Sequence, residues 1–256
     1  MTSILSEWRG LWRSLRVYRL DKSHAAALDA LYRAFVKPGD IAFDIGAHVG
    51  DRTASFRRLG ARVVALEPQK ACLRVLRLLH GFDRGVTLVE SAASEREGKL
   101  IFSINSSNPT VSTLSRDFVL AANAGAKGWE GQTWDKTIEV ATTTLDLLIE
   151  KFGEPAFVKI DVEGAEEMVL RGLSRPVRAH SFEFTTIQRD VAFACLDRCA
   201  ALGYQRFNIS LGESQLMTFA VPVDAAAMRA HIAGLPHEAN SGDIYALRDD
   251  WKPEDA

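Results

Sequence analysis

The chain has 256 residues, of which 47% are hydrophobic and 25% are charged, and its formal net charge at pH 7 is -2. This composition is typical of a soluble globular protein, and the small net charge gives no reason to expect nucleic acid as a partner. No apolar run approaches the roughly 20 residues of a membrane span, and three cysteines are too few for a disulfide framework. We therefore expect a cytoplasmic protein in which a helical segment, residues 1–37, precedes one domain, residues 38–250.

The first twenty residues alternate tryptophan and leucine with arginine at helical spacing. This pattern predicts an amphipathic helix with an apolar and a basic face. Such a helix can pack on the domain or on a second subunit, and it can also lie on an anionic membrane surface. We favour packing, because the protein as a whole is not basic. The arginines interrupt any signal-peptide core, so no signal peptide is expected. A second helix is predicted over His24–Val36.

A strand, a glycine turn and a helix follow. Ile41–Ile45 is a short apolar strand that carries Asp44 near its end, and Gly46 and Gly50 precede a helix that starts near Asp51. This is the first half of a nucleotide-binding βαβ unit, and open α/β sheets bind ligands at the carboxyl ends of their strands. The glycines allow a tight turn and a close approach of the ligand to the backbone.

The next two strands also end on informative residues. The second strand ends at Glu67 and Pro68. Glu67 lies about 20 residues beyond the glycines, the distance at which an acid reaches a ribose diol in this fold. The third strand, Val86–Val89, is followed by Ser91 and Ala92, which are small enough to let an adenine ring lie against the backbone.

The remaining elements are predicted from hydrophobic periodicity. Helices are expected over residues 69–80, 145–152 and 190–202, and strands over residues 99–104, 137–142, 156–161, 178–184, 204–209, 216–221 and 243–247. The late strands predict an antiparallel hairpin that finishes the sheet. Residues 105–136 lack periodicity, and loops of this length are usually lids, binding loops or disordered. We interpret this loop as a cover over the acceptor site, with disorder as the alternative.

The spacing of the glycines bears on the ligand. Asp44-x-Gly46-x-x-x-Gly50 lacks the G-x-G-x-x-G pattern with which dinucleotide enzymes hold a pyrophosphate. S-adenosylmethionine has no phosphate, so it needs no such cradle. Its ammonium, ribose and adenine would suit two strand-end carboxylates and a turn of small residues.

With these residues assembled, the chain resembles the FkbM-type family of S-adenosylmethionine-dependent methyltransferases over about residues 40–185. The resemblance rests on these segments: Phe43–Gly50 with Thr53, Val64–Pro68, Ala92, Ser94, Gly98, Thr144–Asp146 and, most specifically, Val158–Glu166. It implies a Rossmann-like α/β fold with helices on both faces of a mostly parallel seven-stranded sheet that has a terminal antiparallel strand. It also implies methyl transfer, typically to a hydroxyl of a sugar or polyketide-type natural product.

On this interpretation the cofactor-binding residues share the strand ends and the glycine turn. They are Asp44, Gly46, Ala47, His48, Gly50, Thr53, Glu67, Pro68, Ser91, Ala92 and Asp161. His48 is also a candidate base. The partner is expected to be a small-molecule or glycan acceptor with a free hydroxyl, and a homo-oligomer is compatible with the sequence.

The candidate catalytic residues are Asp161, Glu163 and Glu183. In an extended segment Asp161 and Glu163 would share a face, and a close pair would raise one pKa and produce a better base. Alternatively, Asp161 only orients the cofactor and Glu163 caps the following helix. The three carboxylates could also hold a divalent cation, although we predict no metal.

Two other functions are compatible with parts of the sequence. A nicotinamide-dependent oxidoreductase would share the fold and Glu67, but the missing G-x-G-x-x-G argues against it. A non-catalytic scaffold on the same fold would be expected to have lost the cofactor carboxylates, and both Asp44 and Glu67 are present.

Overall fold

A seven-stranded sheet organises the chain. The structure, a computed structural model, describes residues 9–16, 21–125 and 127–252. The strands are β1 (Ile41–Ile45), β2 (Arg62–Leu66), β3 (Val86–Val89), β4 (Ala92–Ala93), β5 (Gly98–Ile104), β6 (Lys136–Thr143), β7 (Phe157–Ile160), β8 (Ala179–Thr185), β9 (Arg206–Leu211) and β10 (Ser241–Leu247). The large sheet has the order β3-β2-β1-β7-β8-β10-β9. Its strands are parallel except β10, which is antiparallel to both neighbours. The predicted fold class is therefore confirmed.

Helices cover both faces of this sheet. They are α1 (Lys22–Tyr32), α2 (Asp51–Arg58), α3 (Lys70–His80), α4 (Arg116–Asn123), α5 (Leu145–Phe152), α6 (Glu166–Arg171), α7 (Arg189–Ala201) and α8 (Ala225–Gly234). Successive residues of β1 point to opposite faces, so Phe43 belongs to one core cluster and Ala42 to the other. Because both faces are buried, the parallel strands read as continuous apolar runs. None of the helices among the described residues has the length and apolarity to cross a membrane.

The order of the strands positions the site. β1 lies between β2 and β7, so the chain leaves β1 toward one side of the sheet and returns on the other. Ligands of open α/β sheets bind in the crevice at such a switch point. A second sheet, in the order β4-β6-β5, follows the end of β3. The carboxyl ends of β1, β2 and β7 therefore lie side by side at one edge of the large sheet.

The predicted strand over residues 216–221 is wrong. Leu216 is 72% exposed and Val221 is 74% exposed. The segment makes only isolated contacts with β9, such as the hydrogen bond from the Thr218 N–H to the Ile209 carbonyl at 2.8 Å. Pro222 follows, and a proline cannot donate to a strand ladder. Among the described residues, the hairpin expected from residues 204–209 and 216–221 is therefore absent. The antiparallel pair that finishes the sheet is instead β9 with β10, and β10 runs between β8 and β9.

Residues 9–16 are helical, and the rest of the predicted N-terminal helix, residues 1–8 and 17–20, lies outside the described residues. The apolar side chains do not share one environment. Leu11 is buried against Val49 and α3, whereas Trp12 is 66% exposed. Arg13 donates a hydrogen bond to the Asn108 side chain at 2.8 Å. This segment therefore packs on the glycine turn and on the start of the long loop.

The long loop, residues 105–136, is folded rather than structureless in its described part. It contains a 3₁₀ turn at Pro109–Val111 and helix α4. Phe118 of α4 is fully buried and meets the Trp129 ring edge to face, with 5.1 Å between centroids. Ile187, which follows β8, packs against the same apolar cluster, so the cluster holds the loop against the domain.

Candidate functional site

A cleft of about 990 Å³, its open mouth included, lies at the carboxyl ends of β1, β2 and β7. Most residues predicted to bind the cofactor line it: Asp44, Gly46, Ala47, His48, Glu67, Pro68, Ser91, Ala92 and Asp161. Gly50 and Thr53 lie behind this lining. Gly50 precedes the first turn of α2, and the Thr53 hydroxyl donates to Asp44 Oδ2 at 2.5 Å. The sequence thus located the cleft, and these two residues support its wall.

Contacts from both sides fix the glycine turn after β1. The N–H groups of Gly46 and Ala47 donate to the Leu66 carbonyl of β2 at 3.1 and 2.8 Å. Gly46 has φ +85°, and a Cβ there would lie 1.8 Å from the Asp161 carbonyl oxygen. His48 also has positive φ, +48°. Only glycine fits at position 46, because the turn is pressed against the residue that follows β7.

Two buried carboxylates flank this turn. Asp44 and Glu67 are each 2% exposed. Burial raises the pKa of Asp44 to about 6, although the Thr53 hydrogen bond opposes the shift. Burial likewise raises the pKa of Glu67 to about 7, against hydrogen bonds from the N–H groups of Gln69 and His48. A carboxylate has about four lone-pair directions, so both retain capacity to accept from a ligand.

The charge of the cleft distinguishes between classes of ligand. Its acidic lining residues are Asp44, Asp51, Glu67, Asp161, Glu163, Glu183 and Glu213. Arg52 is the one permanently cationic residue among the described lining, and it pairs with Asp51 at 2.5 Å and with Glu213 at 3.4 Å. Burial lowers the pKa of His48 to about 4, so its ring is neutral. The field therefore favours a cationic ligand over a pyrophosphate.

Three carboxylates, which we call the acid triad, converge beside this cleft. Asp161, Glu163 and Glu183 each offer one oxygen, and these oxygens lie within 4.8 Å of one another. The segment is not extended as expected, because Glu163 has φ +56°. The alternative role of Glu163 as a helix cap is not observed either, because α6 begins at Glu166 with Ala165 at its N-cap and no side-chain cap. The three carboxylates therefore lie close together in a segment with left-handed backbone at Glu163, and not in an extended strand.

The sequence reasoning missed Lys159, which lies beneath the triad. Its ammonium is fully buried and lies 2.9 Å from both Asp161 Oδ2 and Asp243 Oδ1. Burial opposes its charge, but the two carboxylates raise the pKa of Lys159 well above its usual value. A lysine inside an apolar strand almost always needs a buried partner, and that signal could have found it.

The pKa values of the triad members shift in opposite directions because Lys159 contacts only one of them. Burial opposes ionisation of Asp161, but the Lys159 ammonium outweighs burial and lowers the pKa of Asp161 below its usual value. Burial and then the Asp161 charge raise the pKa values of Glu163 and Glu183 well above the usual range. Asp161 is therefore the member of the triad that ionises most readily.

A second cavity of about 950 Å³ continues from the cleft. The two share the acid triad together with Arg52, Thr110 and Glu213. The far wall carries polar groups and one aromatic ring: Asn108, Trp129, Thr185 and Asn240. Trp129 Nε1 donates to Asn240 Oδ1 at 3.3 Å. The loop over residues 105–136 thus forms a wall of this cavity, whereas the sequence predicted a cover over the acceptor site. Asn240 and Arg52 also line the cavity, and the sequence did not indicate either residue.

A sequence model of the methyltransferase FkbM domain matches residues 44–204. No curated protein matches the chain. Among solved structures, methyltransferase FkbM from Methylobacillus flagellatus KT is similar, with 13% identity and a TM-score of 0.48 over 92% of this chain and 59% of that chain. Precorrin-6y C5,15-methyltransferase from Geobacter metallireducens GS-15 is similar with 15% identity and a TM-score of 0.44 over 91% of each chain. At these identities the likeness is one of fold.

Proposed function

The chain belongs to the FkbM methyltransferase family, and from this premise we propose that it transfers the methyl group of S-adenosylmethionine to a hydroxyl of a sugar, glycan or polyketide-type natural product. The observation that carries the proposal is the junction of two cavities at the acid triad. One cavity has an acidic lining that suits a sulfonium and an ammonium. The other has amide, hydroxyl and tryptophan groups that suit a hydroxylated acceptor. A methyl donor and a hydroxyl would meet beside Asp161, Glu163 and Glu183.

The residues of the cleft fit the parts of this cofactor. Asp44 is positioned to bind the ammonium of the amino-acid end. Glu67 has lone pairs left for the ribose hydroxyls after its two backbone hydrogen bonds. Ser91 and Ala92 leave space for the adenine, with the apolar side chains of Phe102 and Leu114 also in the lining. A phosphate-binding loop is not needed for this cofactor, because S-adenosylmethionine has no phosphate.

The bound cofactor supplies an electrophilic methyl group on a cationic sulfur. The walls of the two cavities align the acceptor oxygen with that methyl group, and alignment of this kind can lower a barrier by about 7–11 kcal/mol. In such a transfer the oxygen–methyl bond would form as the sulfur–methyl bond breaks, and neutral S-adenosylhomocysteine would remain. One ionised carboxylate of the triad accepts a hydrogen bond from the acceptor hydroxyl and then its proton. The products are the methyl ether and a protonated carboxyl group.

Calorimetric titration with S-adenosylhomocysteine tests the cofactor assignment. We expect saturable binding by the wild type and none by Asp44→Ala, while Glu90→Gln, an exposed acid after β3, should bind as the wild type does. Binding of NADH without S-adenosylhomocysteine would support an oxidoreductase instead. Binding of neither would support a scaffold.

Methyl transfer from labelled S-adenosylmethionine tests the acceptor class. When free sugars, glycans and polyketide alcohols are tested as acceptors, at least one should give a labelled product whose methyl group is on oxygen. Asp161→Asn and Glu163→Gln should reduce its formation, and full turnover in both variants would overturn the assigned role of these acids. Methyl transfer to nitrogen or carbon acceptors alone would overturn the proposed acceptor class.

A further inference from the structure

The acid triad has more negative charge than the protein neutralises. Asp161, Glu163 and Glu183 bring their oxygens within 4.8 Å of one another. Lys159 contacts one of them, Asp161, at 2.9 Å, and it also pairs with Asp243 at 2.9 Å. The Lys159 and Asp243 charges cancel, so three formal negative charges are left at the junction of the cavities. Grouped carboxylates of this kind are stable only with protons or a bound cation.

One carboxylate oxygen of the triad is buried without a partner. Glu183 Oε2 has no hydrogen-bond partner among the described residues, and the neighbouring Glu163 is itself only 6% exposed. Buried polar atoms are almost always paired with protein, water or an ion. Because both carboxylates line the same two cavities, the unpaired oxygen points to a ligand that binds between them.

We propose that Asp161, Glu163 and Glu183 bind one divalent cation that prefers oxygen ligands, such as Mg²⁺, Mn²⁺ or Ca²⁺. The donor set consists only of carboxylate oxygens, which suit these ions and not Zn²⁺ or Cu²⁺. Asp161 uses Oδ2 for Lys159, which leaves Oδ1 for the ion. The shared position of the triad in both cavities leaves coordination sites open for ligands from the cleft and from the second cavity.

Such an ion would orient and polarise an acceptor hydroxyl. This role rests on the proposed methyl transfer, but binding of the ion does not. The two can therefore be tested separately on the same full-length protein.

Mn²⁺ alone is the probe, because free and bound Mn²⁺ give different electron paramagnetic resonance signals. We expect one saturable site per chain in protein that has been treated with a chelator and dialysed. Glu163→Gln and Glu183→Gln should each weaken binding at least about tenfold, since ligand charge sets the affinity of such sites. Glu213→Gln is the matched control: it lines both cavities but lies outside the triad, and its affinity should stay within about twofold of the wild type.

Circular dichroism and a titration with S-adenosylhomocysteine accompany each measurement. They show whether a variant that loses Mn²⁺ is still folded. No saturable Mn²⁺ binding in protein that binds S-adenosylhomocysteine would overturn the cation site and leave the proposed methyl transfer intact. Mn²⁺ binding of equal strength in the wild type and both triad variants would also overturn it. Mn²⁺ binding without S-adenosylhomocysteine binding would instead support the site and count against the proposed function.

Discussion

The carboxylate of Glu67 accepts a hydrogen bond of 2.8 Å from the backbone N–H of His48. Its other oxygen accepts from the N–H of Gln69, also at 2.8 Å. One side chain at the end of β2 therefore holds the glycine turn that follows β1 and the residue that precedes α3. The acid predicted to bind the ribose therefore also shapes the glycine turn that we propose contacts the rest of the cofactor.

Glu67→Gln should weaken the binding of S-adenosylhomocysteine. The amide of glutamine has one acceptor oxygen and one NH₂ group, so one of the two backbone N–H donors loses its acceptor. An unsatisfied buried donor costs about 1–3 kcal/mol. If the turn shifts in response, a loss of that size in the binding free energy lowers the affinity by about 5- to 150-fold. Calorimetry measures this loss. The Glu90→Gln control changes an exposed acid at the end of the neighbouring strand, and unchanged affinity in Glu67→Gln would contradict the double role of Glu67.

Glu67 should also make the stability of the protein depend on pH. Burial raises its pKa from 4.5 to about 7 in the folded state, so the folded protein keeps a proton that the unfolded chain releases. The resulting stability is fully present below about pH 4.5 and is lost as the pH rises through 7. The slope cannot exceed about 1.4 kcal/mol per pH unit. The glutamine of the Glu67→Gln variant does not titrate, so the variant lacks this contribution.

Urea unfolding of the wild type and of Glu67→Gln at pH 5, 6, 7 and 8 isolates this contribution. The free energy of unfolding of the wild type, minus that of the variant, should fall between pH 5 and pH 7 and then level off. A difference that stays constant over this range would show that Glu67 is ionised throughout.

The sequence predicted what depends on neighbouring residues in the chain. Asp44, Glu67 and Asp161 each follow a short apolar run, and the carboxyl ends of parallel strands meet at one edge. Hydrophobic periodicity and the glycine turn after β1 therefore located the cleft. The same local pattern predicted a strand over residues 216–221 that the structure does not contain. Apolar residues of this segment lie exposed beside β9 and before Pro222.

What the sequence did not predict depends on contacts between distant segments. Asp243 reaches Lys159 only because β10 inserts between β8 and β9, and no local pattern specifies that position. The triad assembles around a left-handed Glu163, a conformation that non-glycine residues seldom adopt and that periodicity cannot reveal.

Lys159→Met should destabilise the fold strongly. The substitution keeps most of the side-chain volume but leaves the carboxylates of Asp161 and Asp243 without their cation. Loss of one partner of a buried ion pair costs about 3–5 kcal/mol. Lys99→Met is the matched control, because Lys99 and Glu139 lie 2.8 Å apart, close to the 2.9 Å of the Lys159 pairs, but both side chains are more than half exposed. Exposed pairs contribute about 0–1 kcal/mol, so equal losses in urea unfolding would contradict the structural role of Lys159.

Gly46→Ala tests the contact between the glycine turn and β7. Two costs are expected there: a left-handed alanine costs about 1–2 kcal/mol, and its Cβ would lie 1.8 Å from the Asp161 carbonyl oxygen. Gly125→Ala separates these costs. Gly125 has the same φ, +85°, but a Cβ there would have no atom within 4 Å.

In urea unfolding, both alanine variants should therefore have a lower free energy of unfolding than the wild type, because both place alanine in a left-handed conformation. Gly46→Ala should be destabilised further by the contact of its Cβ with the Asp161 carbonyl. Relief of the clash requires the turn to move away from Asp161, which displaces Asp44, His48 and the wall of the cleft together. S-adenosylhomocysteine binding should accordingly disappear in Gly46→Ala and persist in Gly125→Ala. Equal unfolding energies and equal affinities in the two variants would mean that the turn does not press on Asp161, and the geometry assigned to the cleft would then be wrong at its centre.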